Sequence, residues 1–205
     1  MIRFILILLC FVASPVFAQD TVDLKDIEKA EQYLQDLKTA QARFVQTTHN
    51  GAQLSGTFYL KRPGKMRFEY DLPVKDFVVA DGLFIHYYDA ELEEQTNAPI
   101  RSTLAHFFLR KNFSLTDDLI VKDARYNDAG LLLMQVVQAK EPEAGSITFG
   151  FRKEPFELVK WRVIDAQAQI TEVELFHLKT GMKHDPKLFL FVDPNKKSRQ
   201  AGYND

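Results

Sequence analysis

The side chain with the most specific chemistry in this chain is Arg62. In the run Gly56-Thr57-Phe58-Tyr59-Leu60-Lys61-Arg62 alternate residues share a face, so Gly56, Phe58, Leu60 and Arg62 lie together, opposite Thr57, Tyr59 and Lys61. Arg62 therefore stands at the rim of an apolar face, next to Pro63. A guanidinium beside apolar surface is costly unless its donors find acceptors. Either it is held by such acceptors, or its stem snorkels outward and the head pairs with a carboxylate. Other chemistry is thinly represented. The histidines His49, His86, His106, His177 and His184 show no metal-ligand spacing. Glu93-Glu94, Asp117-Asp118 and Glu172/Glu174 read as solvated faces, and His184-Asp185 as a turn. No G-x-S-x-G elbow, phosphate-binding loop or dinucleotide fingerprint occurs. No catalytic residue, metal or cofactor is expected.

Arg62 belongs to a longer block, residues 56–88, in which apolar alternation is interrupted at Pro63-Gly64, Leu72-Pro73 and Asp81-Gly82. In its second run Met66, Phe68 and Tyr70 oppose Lys65, Arg67, Glu69 and Asp71. Phe58, Leu60, Met66, Phe68 and Tyr70, continued by Phe77, Val79 and Ile85, are expected to form one apolar face. That face is either an ordinary core or the lining of a hollow, and Met and aromatic side chains suit an adaptable pocket. Seventeen phenylalanines in 205 residues leave the same two readings open.

The first eighteen residues stand apart. Arg3, the apolar run FILILLCFVA and the small-residue site at Val16-Phe17-Ala18 read as a secretory signal peptide cut after Ala18. The run is too short for a permanent span, and Leu9 before Cys10 argues against a lipidated cysteine. Residues 1–18 contain Arg3 and no acid, so the remainder, 19–205, carries 25 − 28 = −3. Cleavage also removes the only cysteine. A thiol-free, weakly acidic exported chain with no basic block excludes a disulfide scaffold and argues against nucleic-acid binding.

The remaining elements must position this face. Leu24, Ile27, Ala30, Leu34 and Leu37 form the stripe of an amphipathic helix, started by Asp23 or Thr21. Phe44 to Thr48 begins the strands, and Asn50-Gly51 signals a hairpin. A short polar strand is expected at Glu91 to Thr96. Ile100, Leu104, Phe107 and Phe108 follow at helical spacing, with Asn97 as cap, Pro99 in the first turn, and Arg110 and Lys111 at the end. Further strands are expected at 119–125, 131–138, 146–152, 157–165, 169–178 and 188–192. The sum is a mainly β domain of roughly eleven short strands over residues 19–205, a sandwich or barrel covered by helices.

Three segments resemble the outer-membrane lipoprotein carrier protein (LolA) family. They are the helix running into Arg43-Phe44-Val45-Gln46, the stretch Gly56 to Lys65 with the later Val79-Ala80-Asp81-Gly82, and the Pro99 helix ending in Phe107-Phe108-Leu109. The resemblance implies an incomplete antiparallel barrel of about eleven strands with a helical lid. It further implies a monomeric periplasmic chaperone that shields lipoprotein acyl chains. Cargo would come from an inner-membrane ABC transporter and go to an outer-membrane receptor. By the same resemblance Arg62 is the residue that clasps the lid, bonding carbonyls between Leu104 and Leu109. Unpaired carbonyls at a helix C-terminus are suitable acceptors. Where the family often has a Trp after the Asp-Gly turn, this chain has Phe84-Ile85-His86-Tyr87. Two other readings remain: a lipid-, glycolipid- or stress-sensing domain on the same barrel, and a hydrolase using His184 and Asp185.

Overall fold

The computed structural model describes residues 21–194, so the expected signal peptide and the tail from Asn195 lie outside the described residues. Helix α1 (Leu24–Asp36) leads into β1 (Thr39–Thr47), β2 (Gln53–Lys61), β3 (Lys65–Tyr70), β4 (Phe77–Asp81), β5 (Phe84–Asp89) and β6 (Glu94–Pro99). After a 3-10 turn (Ile100–Ser102) and the short helix α2 (Ala105–Leu109) come β7 (Leu119–Tyr126), β8 (Leu132–Gln138), β9 (Gly145–Arg152), β10 (Glu157–Asp165) and β11 (Ile170–Thr180). The eleven strands make one sheet in the order β6-β5-β4-β3-β2-β1-β11-β10-β9-β8-β7. Neighbours pair antiparallel, and the edges β6 and β7 stay apart, an incomplete barrel as expected.

Turn chemistry sets the hairpins. Between β1 and β2, Asn50 Oδ1 accepts from the Ala52 N–H at 3.0 Å, and Gly51 takes φ +83°, where a side chain would be strained. Between β4 and β5, Asp81 Oδ1 accepts from the N–H groups of Leu83 and Phe84 at 2.8 and 2.9 Å. Register then assembles the inner face. Phe44 is opposite Gly56 and Leu175, Phe58 opposite Phe68, and Trp161 opposite both Val173 and Phe149. These residues are the concave side of the sheet and join the main core.

Two elements cover that side. Helix α1 begins with a reciprocal capping box between Asp23 and Asp26, and buries Ala30, Leu34 and Leu37. Asp23→Ala is expected to lower stability by about 1 kcal/mol, measured by urea unfolding. Leu24, expected on the buried stripe, is instead 77% exposed, in the first turn of the helix. The second cover follows from topology. β6 and β7 are consecutive in sequence yet occupy opposite edges, so residues 100–118 must cross from one rim to the other.

Two expected elements are different in the structure. The helix expected from Asn97 does not start there: β6 continues through Pro99, and Asn97 uses its carbonyl on His86 and Gln95. Ser102 and Thr103 hydroxyls donate to the carbonyls of Pro99 and Ile100, both at 2.8 Å, which favours a 3-10 turn over a continuous helix. The strand expected at 188–192 is also absent. A 3-10 turn (Pro186–Phe189) and the following residues pack on the convex face instead, where Phe191 lies 5.7 Å from the Phe77 ring and stacks on His86 at 4.7 Å. That segment covers the sheet without joining its ladder.

Candidate functional site

The barrel has one closed and one open end. At the closed end, the start of β1, the turn after β2 and the last turn of α1 meet the end of α2. The Gly64 N–H donates to the Leu109 carbonyl at 2.8 Å, and Lys38 Nζ to the Lys111 carbonyl at 3.1 Å. Toward the other end lies a cavity of about 710 Å³. Met66, Phe68, Tyr70 and Val78 line it from β3 and β4, and Phe149, Trp161, Val163 and Val173 from β9 to β11. Its roof is Leu104, Ala105 and Phe108 on the crossing segment, and its rim carries Gln46, Thr48, Asp76 and Asp165.

The predicted lining residues separate into three groups. Met66, Phe68 and Tyr70 line the cavity. Phe58 and Leu60 lie on the same face but are fully buried core, and Ile85 packs against that core from β5 without reaching the cavity. Phe77 and Val79 are on the opposite face. Phe68 pairs with Val78, so Phe77 and Val79 fall beside Glu69 and Arg67 on the convex side. The parity was lost in the loop between β3 and β4. Of the expected cover residues, Leu104 and Phe108 form the roof, while Ile100, Phe107 and Leu109 are buried as its anchors.

Arg62 is buried, only 7% exposed, but its bonds differ from those expected. Nη1 donates to the carbonyl of Leu34 in the last turns of α1, not to a carbonyl of α2. The α2 carbonyl at Leu109 is taken by the N–H of Gly64, two residues beyond Arg62, and the guanidinium reaches α1 instead. It touches the cover through its face, with the guanidinium carbon 4.7 Å from the Phe108 ring centroid. Phe108 thus separates the charge from the cavity. Nε and Nη2 are buried without a hydrogen-bond partner. Burial, and then the like charge of Arg110, pull the Arg62 pKa down to about 10. The group is still protonated at neutral pH, and burial together with the Arg110 charge disfavours its charged form by on the order of 3 kcal/mol.

Arg110 was expected only to suit the helix dipole. It bonds Asp118 and the Ser114 carbonyl and lies over the rings of Phe107 and Phe113 at 5.6 and 5.5 Å. It ties the crossing segment to itself just before β7. Burial raises the Tyr70 phenol to about 12, with the Asp76 carboxylate adding to the rise. Sequence reasoning missed the far wall. The alternation through Phe149, Trp161 and Val163 was legible, but nothing local tied it to the face of β3. His184 and Asp185 have structural roles: His184 Nε2 bonds the Ala40 carbonyl at 3.0 Å, and Asp185 accepts from the Lys187 N–H at 2.9 Å.

The family model described as "Outer membrane lipoprotein carrier protein LolA" matches residues 35–192. The chain belongs to the LolA family. Its relatives include proteins named outer-membrane lipoprotein carrier protein from Methylococcus capsulatus, 27% identical over 81% of this chain and 83% of that one. Another, from Legionella pneumophila strain Paris, is 28% identical over 94% and 95%, and one from Methylibium petroleiphilum is 29% identical over 91% of each. The LolA match takes in β7 to β11 as well as the N-terminal half. Both walls of the cavity are therefore within the region shared with the family.

Proposed function

We propose that this protein is a periplasmic carrier that holds the acyl chains of lipoproteins in the cavity beneath α2. It takes them from an inner-membrane ABC transporter and passes them, as a monomer, to an outer-membrane receptor. The observation that carries the reading is an apolar hollow of about 710 Å³ roofed by a segment held at the two sheet edges. Such a volume is within the roughly 300–1,000 Å³ common for ligand sites. Acyl chains in water forfeit about 0.8 kcal/mol per methylene, and phenylalanine, methionine and tryptophan walls replace much of that loss. Among the described residues no helix is long and apolar enough to cross a membrane. The reading involves no bond-breaking step.

Trp161 supplies the test, because it is the only tryptophan in the chain and lines the cavity. A diacylated lipopeptide with brominated chains is expected to quench its emission, and an unbrominated lipoprotein to restore it by competition. Quenching by brominated phospholipid but not by lipopeptide would favour a lipid-binding domain instead. Unchanged emission with both would reject the cavity as an acyl site.

A further inference from the structure

The cavity is lined by two carboxylates, Asp76 and Asp165, and by no lysine or arginine. Both lie at the open end, where β10 ends and the loop before β4 turns back, so they flank the route by which a head group would emerge. Both are half-buried and held in place. Asp76 accepts from Tyr87 Oη at 2.9 Å and from the Ala90 N–H at 3.0 Å. Asp165 Oδ1 accepts from the N–H groups of Gln167 and Gln169, each at 2.9 Å. We infer that the mouth selects by head-group charge: it admits acyl chains on neutral or cationic heads, such as an ester- or amide-linked polypeptide, and rejects anionic amphiphiles.

The inference rests on the acyl-binding reading above and adds which acyl compounds are excluded. An apolar hollow alone binds any chain of suitable length. The competing anionic amphiphiles of an envelope, phosphatidylglycerol and ionised fatty acids, carry chains of the same kind. Discrimination among them must come from the head, and the cheapest device is fixed like charge at the exit. Asp76 acts on two neighbouring phenols: after the larger effect of burial, its hydrogen bond and then its charge raise Tyr87, and its charge adds a smaller rise to Tyr70, against the lowering bond from Gln46. A like charge several ångströms away, in the intermediate dielectric of a cavity mouth, amounts to about a tenfold difference in affinity.

The full chain, stripped of lipid, would be titrated below micellar concentration with monopalmitoylglycerol and with palmitoyl-lysophosphatidylglycerol, following Trp161 emission. The neutral compound is expected to bind about tenfold more tightly at low salt. In the Asp76→Asn, Asp165→Asn double variant the amide oxygens can still accept from the Ala90, Gln167 and Gln169 N–H groups, while the amide –NH2 at position 76 donates to Tyr87 Oη instead of accepting from it, and the gap should shrink to about twofold. Raising salt on the unaltered protein should narrow it likewise, a measurement that does not depend on the variant folding. Equal affinity for the two compounds, or a gap indifferent to both salt and substitution, would overturn the inference while leaving acyl binding intact. No response to either compound would instead remove the acyl-binding reading, and the selectivity with it.

Discussion

Arg62→Leu is expected to fold, to take up lipoprotein, and to retain it about 10- to 100-fold more tightly than the unaltered protein. The buried guanidinium has two orphaned donors and a lowered pKa, so replacing it with an apolar side chain removes a destabilising burden. The opposing loss is its bond to the Leu34 carbonyl and its stacking on Phe108. A charge-assisted bond is worth about 1.5–3 kcal/mol, and the two effects nearly offset in the empty protein. They do not offset in the loaded one. Cargo that lifts Phe108 must break the contact with Arg62, and regaining that contact helps expel the cargo. Without it the competent state is populated more freely and binding tightens. Transfer of a labelled lipoprotein to outer-membrane vesicles should slow by the same factor, with the urea midpoint nearly unchanged. Transfer at the normal rate would show that Arg62 serves the fold alone.

Gly56→Ala is expected to cost about 3 kcal/mol, a large penalty for one methyl group. A Cβ there would lie 2.1 Å from the Glu69 carbonyl oxygen and 2.7 Å from the Phe44 ring. Neither can move aside. The carbonyl belongs to β3, and the ring, fully buried, is packed edge-on against Phe68 and Tyr70 at 5.0 and 5.4 Å. Gly51→Ala is the control. No atom lies within 4 Å of its Cβ, so the cost is the positive φ alone, about 1 kcal/mol. Adding Phe44→Leu to Gly56→Ala should restore part of the stability by relieving the ring contact. Urea unfolding of the three variants checks the order. A Gly56→Ala protein no weaker than Gly51→Ala would mean that β1, β2 and β3 are less closely packed than described.

How far the sequence could be read depended on whether each strand has one dry face or two. β2 and β3 alternate cleanly, so Phe58, Met66, Phe68 and Arg62 were placed on the correct side from spacing alone. β4 reads Phe-Val-Val-Ala and is apolar on both faces, because residues 186–192 cover its convex side. Alternation carries no information in such a strand, and Phe77 and Val79 were assigned to the wrong face. The same covering segment, 188–192, read as one of the roughly eleven strands because its apolar residues have the composition of one. The partner of Arg62 was illegible for another reason. Which carbonyl a long side chain reaches depends on how α1 and α2 share the closed end, a tertiary matter that no local pattern records.

Because β6 and β7 meet in sequence but not in space, residues 100–118 work like the drawstring of a purse. Spreading the two rims to admit a bulkier passenger pulls on both ends of the cord at once, and slack in the cord lets the rims part. Loading that parts the rims would therefore couple the crossing segment, Phe108 included, to the curvature of the whole sheet. Substitutions far out on either rim should alter grip on the cargo as surely as substitutions above it.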